Sequence, residues 1–202
     1  MRSRYEDPSF ADLTTPLPRF GGPTFAIRFR LMRLGWNVAW ILLARWTPPP
    51  MRRWRNFLLR RFGARIDRTA TVHAKAIIWW PGHLTMERYA SLGPDVICYN
   101  VDEITIREFA SVSQRAHLCT GSHDIQSSGF ALLHKPIVIG ANAWVAAEAF
   151  VGPGVIVGDG AVLGARGVAA RTLQPWKIYV GNPARAVGER RPEAAASYAL
   201  MR

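Results

Sequence analysis

The chain is short of cysteine, of long apolar runs and of acids. Its 202 residues include two cysteines, Cys98 and Cys119, too few for a disulfide framework or a cysteine zinc cluster. In its most apolar segment, the longest stretch without an ionised side chain is the 11 residues Leu34 to Ala44. A membrane crossing needs about 20, so none is expected. No basic start leads into an apolar core and a small-residue cleavage site, so no secretory signal is expected either. Acids number 14 against 26 Lys plus Arg, a formal charge of +12. That charge is uneven. Residues 1–65 carry 13 Arg, no Lys and 3 acids, a balance of +10, and residues 66–202 carry only +2. The positive field belongs to the leader. At this length one principal domain is expected, and 49% apolar residues supply its core.

A repeat is what the chain does have. From Ile139 to Gly167, large apolar residues recur every six positions: Ile139, Val145, Val151, Val157, Leu163. Four positions after each stands a small or β-branched residue: Ala143, Ala149, Val155, Ala161, Gly167. Neither a helical period nor strand alternation produces this. A six-residue unit is too short to fold alone. It fits one flat wall of a triangular coil, three units per turn, with the apolar position inside and short strands stacked in parallel. The repeat runs back through Ile66, Val72, Ile78, Met86, Leu92, Cys98, Ile106, Val112 and Leu118. Cys98 thereby reads as a small buried hydrophobe.

Three defects interrupt it. Steps of eight place extra residues at 79–85 and 99–105, twenty apart, hence at one corner of successive turns. A larger break, 119–138, contains SHDIQSSGFALLHK. A long insertion in a solenoid marks its working face. Trp79 and Trp80 on the first insertion are candidates to stack on a sugar or to pack on the leader. The regular turns contain Gly-Pro-Gly, Gly-Asp-Gly and Gly-Ala-Arg-Gly, whose glycines allow positive φ and close backbone approach.

The leader reads as an extended segment over residues 1–25, a helix from Phe25 to Trp46, a Pro48-Pro49-Pro50 stop and a second helix from Met51 to Phe62, with Gly63 as its cap. Two compatible roles are open. Its apolar surface lies in a membrane interface with arginines near anionic lipid, or it covers the open first turn of the coil or a neighbouring subunit. Nucleic acid is not an expected partner, because the arginines are mixed with aliphatic surface and no reading-helix pattern is present. The expected domains are the leader at 1–65, the repeat domain at 66–188 with its excursion at 119–138, and a tail at 189–202, helical or disordered.

Four motifs carry a resemblance: LCTGSHD at 118–124, KPIVIG at 135–140, WVAAEAFVGPG at 144–154 and VGNPAR at 180–185. Over residues 50 to 188 the chain resembles the hexapeptide-repeat acyltransferases. Within them it is most similar to the colanic-acid or exopolysaccharide O-acetyltransferases, and more distantly to galactoside, maltose and nodulation-factor acetyltransferases. The resemblance implies a mainly β fold, a left-handed parallel β-helix preceded by the basic helical segment. It implies acetyl-CoA as acyl donor with no metal, and a homotrimer with each site between two subunits. The acceptor it implies is a saccharide or lipid-linked saccharide, handled in the cytoplasm at the inner face of the membrane. By the same resemblance His123 is the catalytic histidine and Asn100 holds the acceptor or the reacting oxygen. Trp144 flanks the thioester and pantetheine arm, Ala147 and Ala165 meet the pantetheine amides through their backbone, and Arg171 and Arg185 meet the nucleotide end. One departure is visible. Met86-Glu87 and Ile106-Arg107 lack the Gly or Asp common after the apolar position, which puts the corner geometry there in question.

The residues support the same chemistry independently. A sugar hydroxyl attacks a thioester poorly and needs a base whose pKa lies near neutrality. His123 fills that role if a backbone carbonyl or a carboxylate holds its other nitrogen. Asp124 is the adjacent candidate. Backbone N–H groups or the Asn100 amide are candidates for the oxyanion. Ser122 lacks a nucleophile-elbow context, so direct transfer is expected. Other acceptors, such as an amino sugar, a free saccharide or serine, suit the same base, and a non-catalytic scaffold is the remaining alternative. A three-histidine zinc site is not expected, because Gly140 to Leu163 contains no histidine.

Overall fold

The computed structural model describes residues 24–126 and 128–191. The extended reading of residues 1–23 and the tail beyond residue 191 lie outside the described residues. The repeat domain is a left-handed parallel β-solenoid with three faces. The first face stacks Arg65–Ile66, Leu84–Met86, Ile104–Ile106, Ile137–Ile139 and Ile156–Val157. The second stacks Thr71–Val72, Ser91–Leu92, Ser111–Val112, Trp144–Val145 and Val162–Leu163. The third stacks Ile77–Ile78, Ile97–Tyr99, His117–Cys119, Phe150–Val151 and Val168–Ala169. All these pairings are parallel and in register. The apolar repeat positions point inward, and both they and their small companions are buried from Ile66 to Leu163.

The register reads out the three defects. Ile66 pairs with Met86, Met86 with Ile106, Ile106 with Ile139, and Ile139 with Val157. Every extra residue enters between the third face and the first, so the insertions do share one corner. The corners at Glu87 and Arg107 close like those at Gly140 and Gly158. In each, the N–H three residues on returns to the carbonyl: Ala90 to Glu87, Ala110 to Arg107, Ala143 to Gly140, Ala161 to Gly158. Glycine is needed only where the next rung crowds it. A Cβ at Gly140 would lie 2.6 Å from the Asp159 nitrogen. Gly154 and Gly160, in the Gly-Pro-Gly and Gly-Asp-Gly turns, adopt positive φ as expected, but most left-handed corner residues are not glycine. Tyr89, Phe109, Asn142 and Trp176 adopt φ of 56–59° at one corner, and Asp95, Arg115, Glu148 and Arg166 adopt 56–60° at the next.

The leader forms two helices, α1 (Ile27–Leu43) and α2 (Arg52–Arg61), each shorter than the sequence spacing suggests. Met51 belongs to a 3-10 turn and Gly63 follows α2 with φ 96°. Five of the leader's side chains donate to carbonyls of the first rung, which no lower strand pairs. Trp36 Nε1 donates to Ile78, Arg52 to Thr69, Arg55 Nε to Val72, Asn56 Nδ2 to Ala70 and Arg60 Nε to Ile66, all at 2.7–2.8 Å. An open sheet edge is thereby satisfied by side chains instead of another strand. Trp79 and Trp80 pack against this leader. The Trp79 ring lies 5.2 Å from Phe25 with the Arg33 guanidinium 4.0 Å from its centroid, and Trp80 meets Phe29 edge-on. Sugar stacking on this pair is thus not available.

At the other end, Lys177–Val180 adds in parallel to Val162–Leu163, and Arg185–Glu189 returns antiparallel on it. Arg190 is still tied down, its N–H to Trp176 and its guanidinium to the Asn142 carbonyl. Residues 189–190 therefore continue the domain instead of starting a helical tail. Among the described residues no helix is long and apolar enough to cross a membrane.

Candidate active site

The excursion after Leu118 is a hairpin. Gly121–His123 runs antiparallel to Leu132–His134, pairing Gly121 with His134, Ser122 with Leu133 and His123 with Leu132. Thr120 anchors its base from a fully buried position. Its hydroxyl donates to the Tyr99 carbonyl at 3.0 Å and accepts the Asp102 N–H at 2.9 Å. Gly121 is required beside it, because a Cβ would sit 2.9 Å from the Tyr99 ring.

His123 is exposed at the end of the first hairpin strand. Its Nδ1 lies 2.9 Å from the Phe130 carbonyl, and its ring stacks on the Phe130 ring at 4.3 Å and 8°. A carbonyl can only accept, so Nδ1 carries the proton and Nε2 of the neutral ring keeps its lone pair. The nitrogen-holding group is thus a backbone carbonyl. Asp124 does something else. Its Oδ1 accepts the Gln126 N–H at 3.0 Å and shapes the tip of the loop.

A carboxylate–histidine pair does exist, between residues that the sequence spacing does not bring together. His134 Nδ1 lies 2.9 Å from Asp102 Oδ2, and Asp102 Oδ1 accepts the Glu103 N–H at 2.7 Å. The cross-strand pairing puts His134 on the same hairpin face as His123. Burial raises the energy of the Asp102 carboxylate, but the bonds from His134 and Glu103 outweigh it and hold the group below the usual carboxylate range. Asp102→Asn is expected to cost about 1–3 kcal/mol at pH 7. A depressed folded pKa means the contribution is full above the unfolded pKa, about 4, and disappears as pH falls through the folded one. Urea unfolding of both proteins at pH 7 and pH 3 checks this, with the gap closing in acid.

Asn100 is wholly buried, and its amide faces the chain. Oδ1 accepts the Trp80 N–H at 3.1 Å and Nδ2 donates to the Trp80 carbonyl at 2.6 Å. It stitches together the stacked corners of two rungs. His83, 3.2 Å from the Asn100 carbonyl, is driven toward the neutral form by burial. Burial also raises the Cys119 pKa, and its thiol donates to the Gly121 carbonyl, so it is no ready nucleophile.

The residues expected to meet the donor lie elsewhere. Trp144 is half-exposed on the second face, with Nε1 donating to Ser113 Oγ at 2.9 Å. Ala147 and Ala165 stack one rung apart at the corner between the second and third faces, where the Arg166 N–H reaches the Ala147 carbonyl. Arg171 and Arg185 line one cavity of about 400 Å³ with Ala170, Thr172, Pro183 and Ala184. Trp144 thus lies on the second face, Ala147 and Ala165 at its corner with the third, and Arg171 in the turn that leads from the third face back to the first. The His123 hairpin also springs from a turn between the third and first faces, beyond Leu118. Among the described residues no group of three His, Cys, Asp or Glu could hold a metal ion.

No family model matches the chain. It is 43% identical over 159 residues to the Escherichia coli (strain K12) protein named "Putative colanic acid biosynthesis acetyltransferase WcaF", covering 79% of this chain and 87% of that one. Among solved structures it resembles a maltose O-acetyltransferase from Clostridium difficile 630, with TM-score 0.73, 21% identity, and 82% and 90% of the two chains covered. A hexapeptide-repeat acetyltransferase from Vibrio cholerae O1 biovar eltor, complexed with acetyl coenzyme A, matches with TM-score 0.73, 17% identity, and 82% and 91% covered. At those identities the two structures speak to fold alone.

Proposed function

The chain belongs to the hexapeptide-repeat acyltransferase family, and from that premise we propose that it moves an acetyl group from acetyl-CoA to a saccharide hydroxyl in exopolysaccharide assembly. The observation that carries this reading is His123, its Nδ1 proton on the Phe130 carbonyl and its Nε2 lone pair outward. Nε2 takes the hydroxyl proton as the oxygen attacks the thioester carbon. The tetrahedral carbon then expels the CoA sulfur, which receives that proton, and the ester leaves. No acyl-enzyme is formed.

Trp144 offers an exposed indole face to the pantetheine arm, and the Ala147–Ala165 corner a narrow backbone edge for its amides. Arg171 and Arg185 suit the phosphates of the nucleotide end. Asn100 acts as a positioning residue, holding the corner from which the hairpin springs, and Asp124 shapes the loop tip. We take the active form to be a homotrimer, one subunit's hairpin facing the Trp144 and Ala147–Ala165 surface of its neighbour. The protein works in the cytoplasm, where acetyl-CoA is present, on a saccharide or lipid-linked saccharide.

The test is a panel of nucleotide-linked, lipid-linked and free sugars, with an amino sugar and serine as further arms, incubated with acetyl-CoA and read by mass spectrometry. An ester on a polymer-precursor sugar is expected. Acetylation of the amine or of serine alone, or of nothing, would overturn the reading.

A further inference from the structure

The α1 helix is apolar on two opposite faces. At about 100° per residue, Phe29, Trp36 and Trp40 fall on one side and are buried against the coil and α2. Ile27, Leu31, Leu34, Val38, Ile41 and Leu42 form a stripe on the far side, each 47–66% exposed. A helix hydrophobic all round requires a second apolar neighbour. The first side accounts for the cap, and the second has no function in it.

The charges around the stripe are of one sign. Residues 24–65 contain ten Arg and no acid. Arg28 and Arg30 flank the stripe in its first half and Arg45 follows its end, all exposed. Beside α2, Arg53, Arg60 and Arg68 line a cavity of about 320 Å³ with Asn56, where Asp67 offsets part of the charge. A second copy of this face would set guanidinium against guanidinium. Anionic phosphate is the complement.

The end of the helix is also prepared for a medium without water. Last-turn carbonyls are normally left to solvent. Here Leu42 accepts the Trp46 indole N–H and Leu43 the Trp54 indole N–H, both at 2.7 Å, and Ala44 accepts the Thr47 hydroxyl at 2.6 Å. Trp46, Trp54 and Phe57 are exposed at that end, the two indole donors already satisfied by the chain. These rings can enter an apolar layer without stranding a polar group.

We propose that the outer face of α1, with the Trp46–Trp54 end, docks on the surface of an anionic phospholipid bilayer. The aliphatic stripe lies among the acyl chains and the arginines among the phosphates. This holds whether or not the acceptor is a saccharide, so its test is separate from that of the reaction.

Full-length protein is sedimented with vesicles of phosphatidylglycerol and phosphatidylcholine, or of phosphatidylcholine alone. Binding at least tenfold stronger to the anionic vesicles is expected, weakening as salt shortens the screening length. Leu34→Glu with Ile41→Glu should lose that binding at least tenfold while keeping the solution mass and the acetyl transfer to a soluble acceptor. Equal binding to both vesicles, no binding, or a changed mass in the double variant would overturn the proposal, the last because the stripe would then be a subunit contact.

Discussion

His123→Ala is expected to lower kcat about 10²- to 10⁴-fold, the range supplied by a positioned base, with KM for acetyl-CoA nearly unchanged. Trp144, Ala147 and Ala165, expected to meet the pantetheine arm, lie on the second face and its corner with the third, whereas the hairpin leaves between the third and first faces, so removing the imidazole should leave donor binding alone. Folding should be affected little. His123 is exposed, its ring touches Phe130, and its one hydrogen bond is to a carbonyl that water can reach. Thiol release from acetyl-CoA, measured beside thermal unfolding, separates the two effects. A variant as fast as the wild type would remove His123 from the chemistry. A variant that is slow but also melts far lower would make the histidine a structural one.

The second large effect is on stability. Arg55 is 1% exposed, and its partners are three carbonyls and a hydroxyl instead of an acid. Its Nε donates to Val72, one terminal nitrogen to Thr47 Oγ1 and the Pro48 carbonyl, and the other to the Pro49 carbonyl, all within 3.0 Å. Burial lowers its pKa from the ordinary value, but a guanidinium stays charged in any case. One side chain thus ties α2, the proline turn and the first rung together. Arg55→Met strands four acceptors and should cost about 3–5 kcal/mol, roughly a 10 °C fall in Tm for a chain of this size. Arg55→Lys should recover only part of this, because one ammonium cannot span three directions. Circular dichroism melting checks both. A shift under about 2 °C for Met would mean that water replaces the guanidinium at no cost.

The coil was readable because its rule is local. One inward position in six and one small companion fix which side chains are inside, and the spacing of the defects fixes their shared corner. His123 could be singled out because it stands where that rule breaks. The contacts that hold the site could not be read. Asp102 and His134 are 32 residues apart and meet only because the excursion folds into a hairpin of one particular register. Asn100 looked available for an acceptor, but its direction depends on where the preceding rung leaves Trp80, 20 residues earlier. Arg55 resembled the other leader arginines, since nothing in a run of alternating Arg and apolar residues says which one faces bare carbonyls. The glycine turns were readable at Gly154 and Gly160, but the other left-handed corners were not. The left-handed turns are imposed by stacking and accept Tyr, Phe, Arg and Glu.

The two ends of the coil are closed in different ways, below by donors from two helices and above, on the second face, by a strand that reverses. A turn added at either end would have to displace these elements. Any enlargement or trimming of this protein by whole turns must therefore occur in the interior, where an 18-residue cassette such as Ile139 to Ile156 meets the same register above and below.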